Sequence, residues 1–87
     1  MVEDLLPSAE AGPEAAYARS LLLDQLENAI GELSEDQRRV FLAHEVEGVS
    51  FAELAAETGL NVKTLLSRKH AAVQHLRHRL RQVYQDL

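Results

Sequence analysis

The chain's four histidines include His75 and His78, three residues apart, a spacing that puts both on one side of a helix. A metal site there would have only His70 or Gln74 close by as a third ligand, whereas structural zinc takes four. The chain contains no cysteine, so thiolate metal sites, disulfide frameworks and cysteine nucleophiles are excluded. The histidines therefore read as solvated helix residues, and neither a metal nor any other cofactor is expected. Catalysis has no better footing. The sequence shows no glycine-rich phosphate loop, no paired acids set for a cleft and no nucleophile elbow, so an enzyme is not expected.

The remaining chemistry is electrostatic. The net charge of −5 over 87 residues argues at first against nucleic acid. Residues 1–57, however, hold 13 acidic and 3 basic side chains, while residues 58–87 hold six bases and one acid, Asp86. The chain is bipolar, with −10 on its first two thirds and +5 on its last third. This distribution suggests two surfaces with different partners, one of them anionic. Attraction between the two halves is the simpler alternative.

These side chains need a scaffold, and 87 residues supply one small core, too little for a barrel enzyme or a doubly wound nucleotide binder. Hydrophobic residues make up 46% and charged residues 26%, which fits a folded globular chain. No apolar run approaches the roughly 18 residues that span a bilayer. Met1-Val2-Glu3-Asp4 lacks the basic start of a secretory signal. A cytoplasmic location with no membrane contact is expected.

The apolar periodicity is helical almost throughout, and an all-α fold of four helices follows. Residues 1–11 read as a flexible linker and 12–87 as the domain. Gly12-Pro13 opens a first helix carrying Ala15, Arg19, Leu22, Leu26, Ile30 and then Leu33 on one side, with Gly31 as its expected end. Ser34-Glu35-Asp36-Gln37 forms a capping box for a second helix, whose Val40, Phe41, Ala43 and Val46 face the core and which Gly48 closes. Ser50-Phe51-Ala52-Glu53 repeats the capping pattern and starts a short third helix through Leu54, Ala55 and Ala56 to Gly59. Asn61 caps a last helix with no internal glycine or proline, about 36 Å long if it reaches Gln85. Its wheel places Lys63, Ser67, Ala71, Gln74, His78 and Arg81 on a polar side. Val62, Leu65, Ala72, Val73, Leu76, Leu80, Val83 and Leu87 fall on an apolar one. The short helix, the turn at Gly59 and the long helix have the anatomy of a helix-turn-helix, with Leu54, Leu60 and Leu65 filling the space between them.

The same residues resemble region 4 of the sigma-70 family of bacterial transcription initiation factors, within its extracytoplasmic-function (ECF) group. Leu33-Ser34-Glu35-Asp36-Gln37-Arg38-Arg39-Val40-Phe41 is similar to the family's opening segment, with serine where proline is more usual. Glu47-Gly48-Val49-Ser50-Phe51-Ala52-Glu53-Leu54-Ala55 is similar to its next helix, and Thr64-Leu65-Leu66-Ser67-Arg68 to the start of its recognition helix. The resemblance covers about residues 22–80 and implies a four-helix, winged-helix-like fold without a wing. It further implies a fragment of a longer factor that binds the minus-35 promoter element in the major groove and clasps the beta flap of RNA polymerase. An anti-sigma factor is carried as a third candidate partner, and a monomer is expected over a dimer.

Residue by residue, the resemblance makes Lys63, Thr64 and Ser67 base or phosphate contacts, Ser50 and Phe51 neighbours of the DNA backbone, and Arg38 a phosphate contact or a partner of Glu35 and Asp36. Arg68 and His70 complete the DNA-binding candidates, and Arg68 is also expected to pair with Glu53 or Glu57. Lys69 lies on the apolar side and is expected to snorkel toward acidic helices. The sequence departs from the family at Leu66 and Ala71, where basic residues are common, and at Lys63, where glycine is. Those losses support a rival reading: a region-4-like interaction module that docks polymerase or an anti-sigma factor with little specific DNA readout.

Overall fold

The computed structural model describes residues 6–86, which form four α-helices and, among the described residues, no strand. These are α1 (Pro13–Glu32), α2 (Glu35–Phe41), α3 (Phe51–Thr58) and α4 (Val62–Asp86). The fold is all-α, as the periodicity requires. α2, α3 and α4 each begin where a short polar side chain can accept an otherwise orphaned backbone N–H, whereas α1 opens at Gly12-Pro13. Ser34 Oγ accepts from the Gln37 N–H (3.2 Å), Ser50 Oγ from the Glu53 N–H (3.1 Å) and Asn61 Oδ1 from the Thr64 N–H (2.8 Å). Ala9–Ala11 form a 3-10 turn capped by Ser8, and the Pro7 carbonyl accepts from Arg19. Residues 1–5 of the expected linker, and Leu87 of the apolar stripe, lie outside the described residues.

Two boundaries differ from the sequence reading. Gly31 does not end the first helix but lies inside it, and α1 runs on to Glu32. Glycine costs a helix only about 1 kcal/mol relative to alanine, too little to override the next strong signal, the Ser34 cap. The second helix does not continue as an α-helix to Gly48. After Phe41 it widens into a π turn, Leu42–Val46, in which the Glu47 N–H reaches the Leu42 carbonyl (3.0 Å). A wider turn advances each residue by a smaller rotation, so Val46 falls off the apolar stripe and stands 69% exposed rather than in the core.

Two compact units divide the chain. One is Leu33–Gln74. Its core joins Val40 and Ala43 to Leu54 of α3 and Leu65 of α4, with Val49, Phe51, Ala55 and Leu60 packed around them. Gly59 makes this possible by taking φ +74° between α3 and α4, a left-handed conformation that side chains with a Cβ resist. The other unit comprises the described parts of Met1–Glu32 and His75–Leu87. Leu22 and Ala29 of α1 and Leu76 and Leu80 of α4 are its buried residues. Each leucine removed from water contributes roughly 1.5–3 kcal/mol, so the few fully buried ones hold a domain of this size together. Val62 departs from its place in the apolar set: as the first residue of α4 it stands 41% exposed.

Candidate nucleic-acid interface

The leading end of α4 is positioned by packing on one side and left open on the other. Leu65, Ala72 and Val73 are buried, whereas Lys63, Leu66, Ser67 and His70 are exposed and Thr64 is half-buried. Lys63, Ser67 and His70 follow the i, i+4, i+7 spacing of a single helix face, so two turns of α4 present an ammonium, a hydroxyl and an imidazole together. Asn61 satisfies the N–H of Thr64. Those of Val62 and Lys63, in the first turn, have no intrahelical acceptor. The helix dipole adds partial positive charge at the same end, and no carboxylate occurs between residues 58 and 85. Such a surface suits an anion, and its donors match phosphate oxygens or base edges.

The other candidates do not all converge on this face. Ser50 is exposed at the start of α3, where its oxygen caps the helix while its hydroxyl proton can still be donated. The Phe51 ring is occupied. It stacks on His44 (centroids 4.1 Å apart, planes at 22°), and Lys69 Nζ lies 5.7 Å from its centre. Only the backbone of Phe51 is suited to phosphate. Arg38 is half-buried and donates from Nη2 to the Leu33 carbonyl (2.8 Å), tying α2 to the residue that follows α1.

Arg68 does not pair with Glu53 or Glu57. Its Nη2 is 3.8 Å from Asp36 Oδ2, so it braces α4 against the first turn of α2 and not against α3. The reason is tertiary: the margin of the polar face on which Arg68 sits is turned toward α2, which a wheel of α4 alone does not tell. A depression of about 390 Å³ lies there, lined by Asp36, Arg39, Glu57, Leu60, Leu65 and Arg68 among others.

Lys69 is the cation that serves structure, as its place on the apolar side foretold. Its ammonium donates to Glu45 Oε1 (2.7 Å) and to His44 Nδ1, with 11% of the side chain exposed. This hydrogen bond holds the Glu45 carboxyl below the usual value of 4.5, against the opposing effect of partial burial. The sequence offered Asp36 only as a partner of Arg38 and gave His44 no partner, since Arg68 and Lys69 lie 32 and 25 residues away from them and no local pattern announces such a pairing. In the other unit, Glu32 accepts from His75 Nε2 (2.8 Å) and Arg79 Nε (2.9 Å). Its pKa is lowered, first by the His75 bond and then by Arg79. His75 is thus spoken for by a carboxylate, and no group of three or more His, Asp or Glu side chains among the described residues could hold a metal.

A short helix, a left-handed turn and a long helix with an uncovered leading end define the class of helix-turn-helix domains. The family described as Sigma-70, region 4 matches residues 23–76, and the chain belongs to that family, a sigma-factor domain of transcription. Among curated proteins, the ECF RNA polymerase sigma factor SigE of Mycolicibacterium smegmatis is 32% identical over 74 residues. That alignment covers 85% of this chain and 29% of the relative, so the chain spans less than a third of that relative's length. No solved structure matches. No helix among the described residues is long and apolar enough to cross a membrane.

Proposed function

We propose that this domain recognises the minus-35 promoter element through the leading half of α4, acting with RNA polymerase, whose beta flap its other helices would clasp, in the cytoplasm. The observation that carries the reading is the exposure of Lys63, Ser67 and His70 on one face at the start of the second helix of a helix-turn-helix. Membership of the sigma-70 region 4 family supports it, as does the excess of basic charge after residue 57. Thr64, Ser50 and the backbone of Phe51 would add phosphate contacts, with Arg38 and Arg68 at the flanks. About three to five phosphate contacts give a log–log salt slope of roughly −3 to −4.5. Such a complex is weak alone. Tethering through polymerase would strengthen it by raising the effective concentration of the domain at the promoter. Catalysis has no part in this reading.

A second reading is favoured by Leu66, which is 49% exposed on the same face. In it, the domain docks polymerase or an anti-sigma factor and reads little DNA sequence. Titrating labelled duplexes that carry minus-35-type or scrambled sequences, at several salt concentrations, separates the two. Promoter binding predicts a sequence preference that falls in Lys63→Ala and Ser67→Ala. Sequence-independent binding, indifferent to both substitutions, favours the interaction module.

A further inference from the structure

We infer that Leu66 and Val62 form an edge of α4 that reads the C5-methyl groups of thymine, so that the element this domain binds carries thymines opposite them; the inference rests on the DNA-binding reading above. An exposed leucine is ordinary taken singly. Here two large apolar side chains stand one turn apart at the head of α4, 41% and 49% exposed, beside the exposed Lys63 and Ser67 and followed by His70. The strip is short. One turn beyond Leu66 the wheel brings His70 on one side and Lys69 on the other, and Lys69 is folded back onto Glu45. A helix that docks in a protein groove uses a run of anchors at i, i+3 or i+4 and i+7, which this edge does not supply.

Duplex DNA fits its size and surroundings better. Four residues advance about 6 Å along a helix, and base pairs stack 3.4 Å apart, so Val62 and Leu66 would address positions one or two steps apart. In the major groove only thymine among the four bases presents a methyl group, while cytosine and adenine present amino donors there. Val62 and Leu66 have no acceptor to offer such a donor, and covering it would leave it unpaired at a cost. The edge therefore selects for thymine and against cytosine. The neighbouring cation and the absence of carboxylates from residues 58–85 match the phosphates that would flank those bases.

The 87-residue chain should be used to enrich binding sites from a randomised duplex library, and each thymine of the enriched site then replaced by deoxyuridine, which removes only the methyl group. At one or two thymines the replacement is expected to weaken binding about fourfold, the scale of one methyl withdrawn from water. Leu66→Ala or Val62→Ala should bind the thymine duplex more weakly and cease to distinguish it from the uracil duplex at the corresponding position. Both side chains are exposed, so the variants are expected to keep the wild-type helical circular dichroism. Enriched sites indifferent to deoxyuridine, or equally sensitive in both variants, overturn methyl reading while the DNA-binding reading stands. Failure to enrich any sequence overturns both. Unchanged DNA binding with lost capture of RNA polymerase core in Leu66→Ala overturns it in favour of protein docking.

Discussion

The Lys69 ammonium stands 2.7 Å from Glu45 Oε1 with little of either side chain exposed, and it also donates to His44 beneath the Phe51 ring. One lysine thus fastens α4 to the π turn and lies against the first residue of α3. Glu45→Gln keeps the shape of the side chain and removes its charge. The amide oxygen can still accept from Lys69, so the loss is the charge assistance alone, and stability at neutral pH is expected to fall by about 1 kcal/mol. The pH dependence has a definite sign. Glu45 and Glu32 are both held below the ordinary 4.5, so the stability they contribute is fully present above that pH and is lost as pH falls through their lower folded values. Thermal melts from pH 7 to pH 3 should show a steep decline below about 4.5 in the native protein and a shallower one in Glu45→Gln. Parallel curves would contradict the pairing.

Two glycines predict opposite outcomes for the same substitution. Gly59 holds φ +74° in the turn before α4, and no atom beyond its chain neighbours lies within 4 Å of where a Cβ would be. The cost of Gly59→Ala is therefore backbone strain alone, about 1–2 kcal/mol. Gly31 is helical with equally open space around it, so Gly31→Ala should stabilise the protein by about 0.5–1 kcal/mol. Chemical denaturation of the two variants beside the native chain checks both signs.

Much of this architecture is legible in the sequence because its signals are local. A serine or asparagine cap acts on the backbone two or three residues away, and Ser34, Ser50 and Asn61 each do so. The burial of Leu65, Leu76 and Leu80 follows from helical spacing alone. Lys69 could be placed too, since a cation in an apolar stripe must turn toward acid. The misreadings have another cause. Nothing near Leu42 announces a π turn, because its register is set by packing against α3 and α4, and Val46 left the core as a result. Arg68 chose Asp36 over Glu53 and Glu57 for a similar reason: several acids were chemically equivalent, and only the arrangement of α2 against α4 distinguishes them. The polar face of α4 was visible on a helical wheel, but the apolar edge formed by Val62 and Leu66 was not, since a wheel reports direction and not cover.

Arg68 is paired with Asp36, and on the proposed function a DNA phosphate would compete with that carboxylate for it. The pair spans 3.8 Å, with Asp36 largely exposed, and an ion pair of this kind is worth at most about 1 kcal/mol. A double-mutant cycle over Arg68→Ala and Asp36→Ala should give a coupling within that limit. Asp36→Asn frees the guanidinium and removes a negative charge from its side. Duplex binding at low salt should then tighten roughly two- to fivefold, the scale of one exposed pair. A coupling well above that limit would mean that Arg68 is a brace first and a DNA contact hardly at all.

Lys63 and Ser67 share a face but should fail differently when replaced. The ammonium of Lys63 would neutralise charge where it meets a phosphate and read sequence where it meets guanine. When it serves a phosphate, Lys63→Ala weakens every duplex by a similar factor and makes the log–log salt slope shallower by about 0.9. The Ser67 hydroxyl carries no charge, so Ser67→Ala should leave the slope untouched. On the proposed function its effect would appear instead as a narrowed gap between promoter and scrambled duplexes, because a hydroxyl one turn into a recognition helix lies where base edges are read. Anisotropy titrations at four or five salt concentrations, on both duplexes, resolve slope from preference. A Lys63→Ala protein with an unchanged slope and a lost preference would reassign the lysine to guanine, and an unchanged Ser67→Ala protein would remove the hydroxyl from the interface.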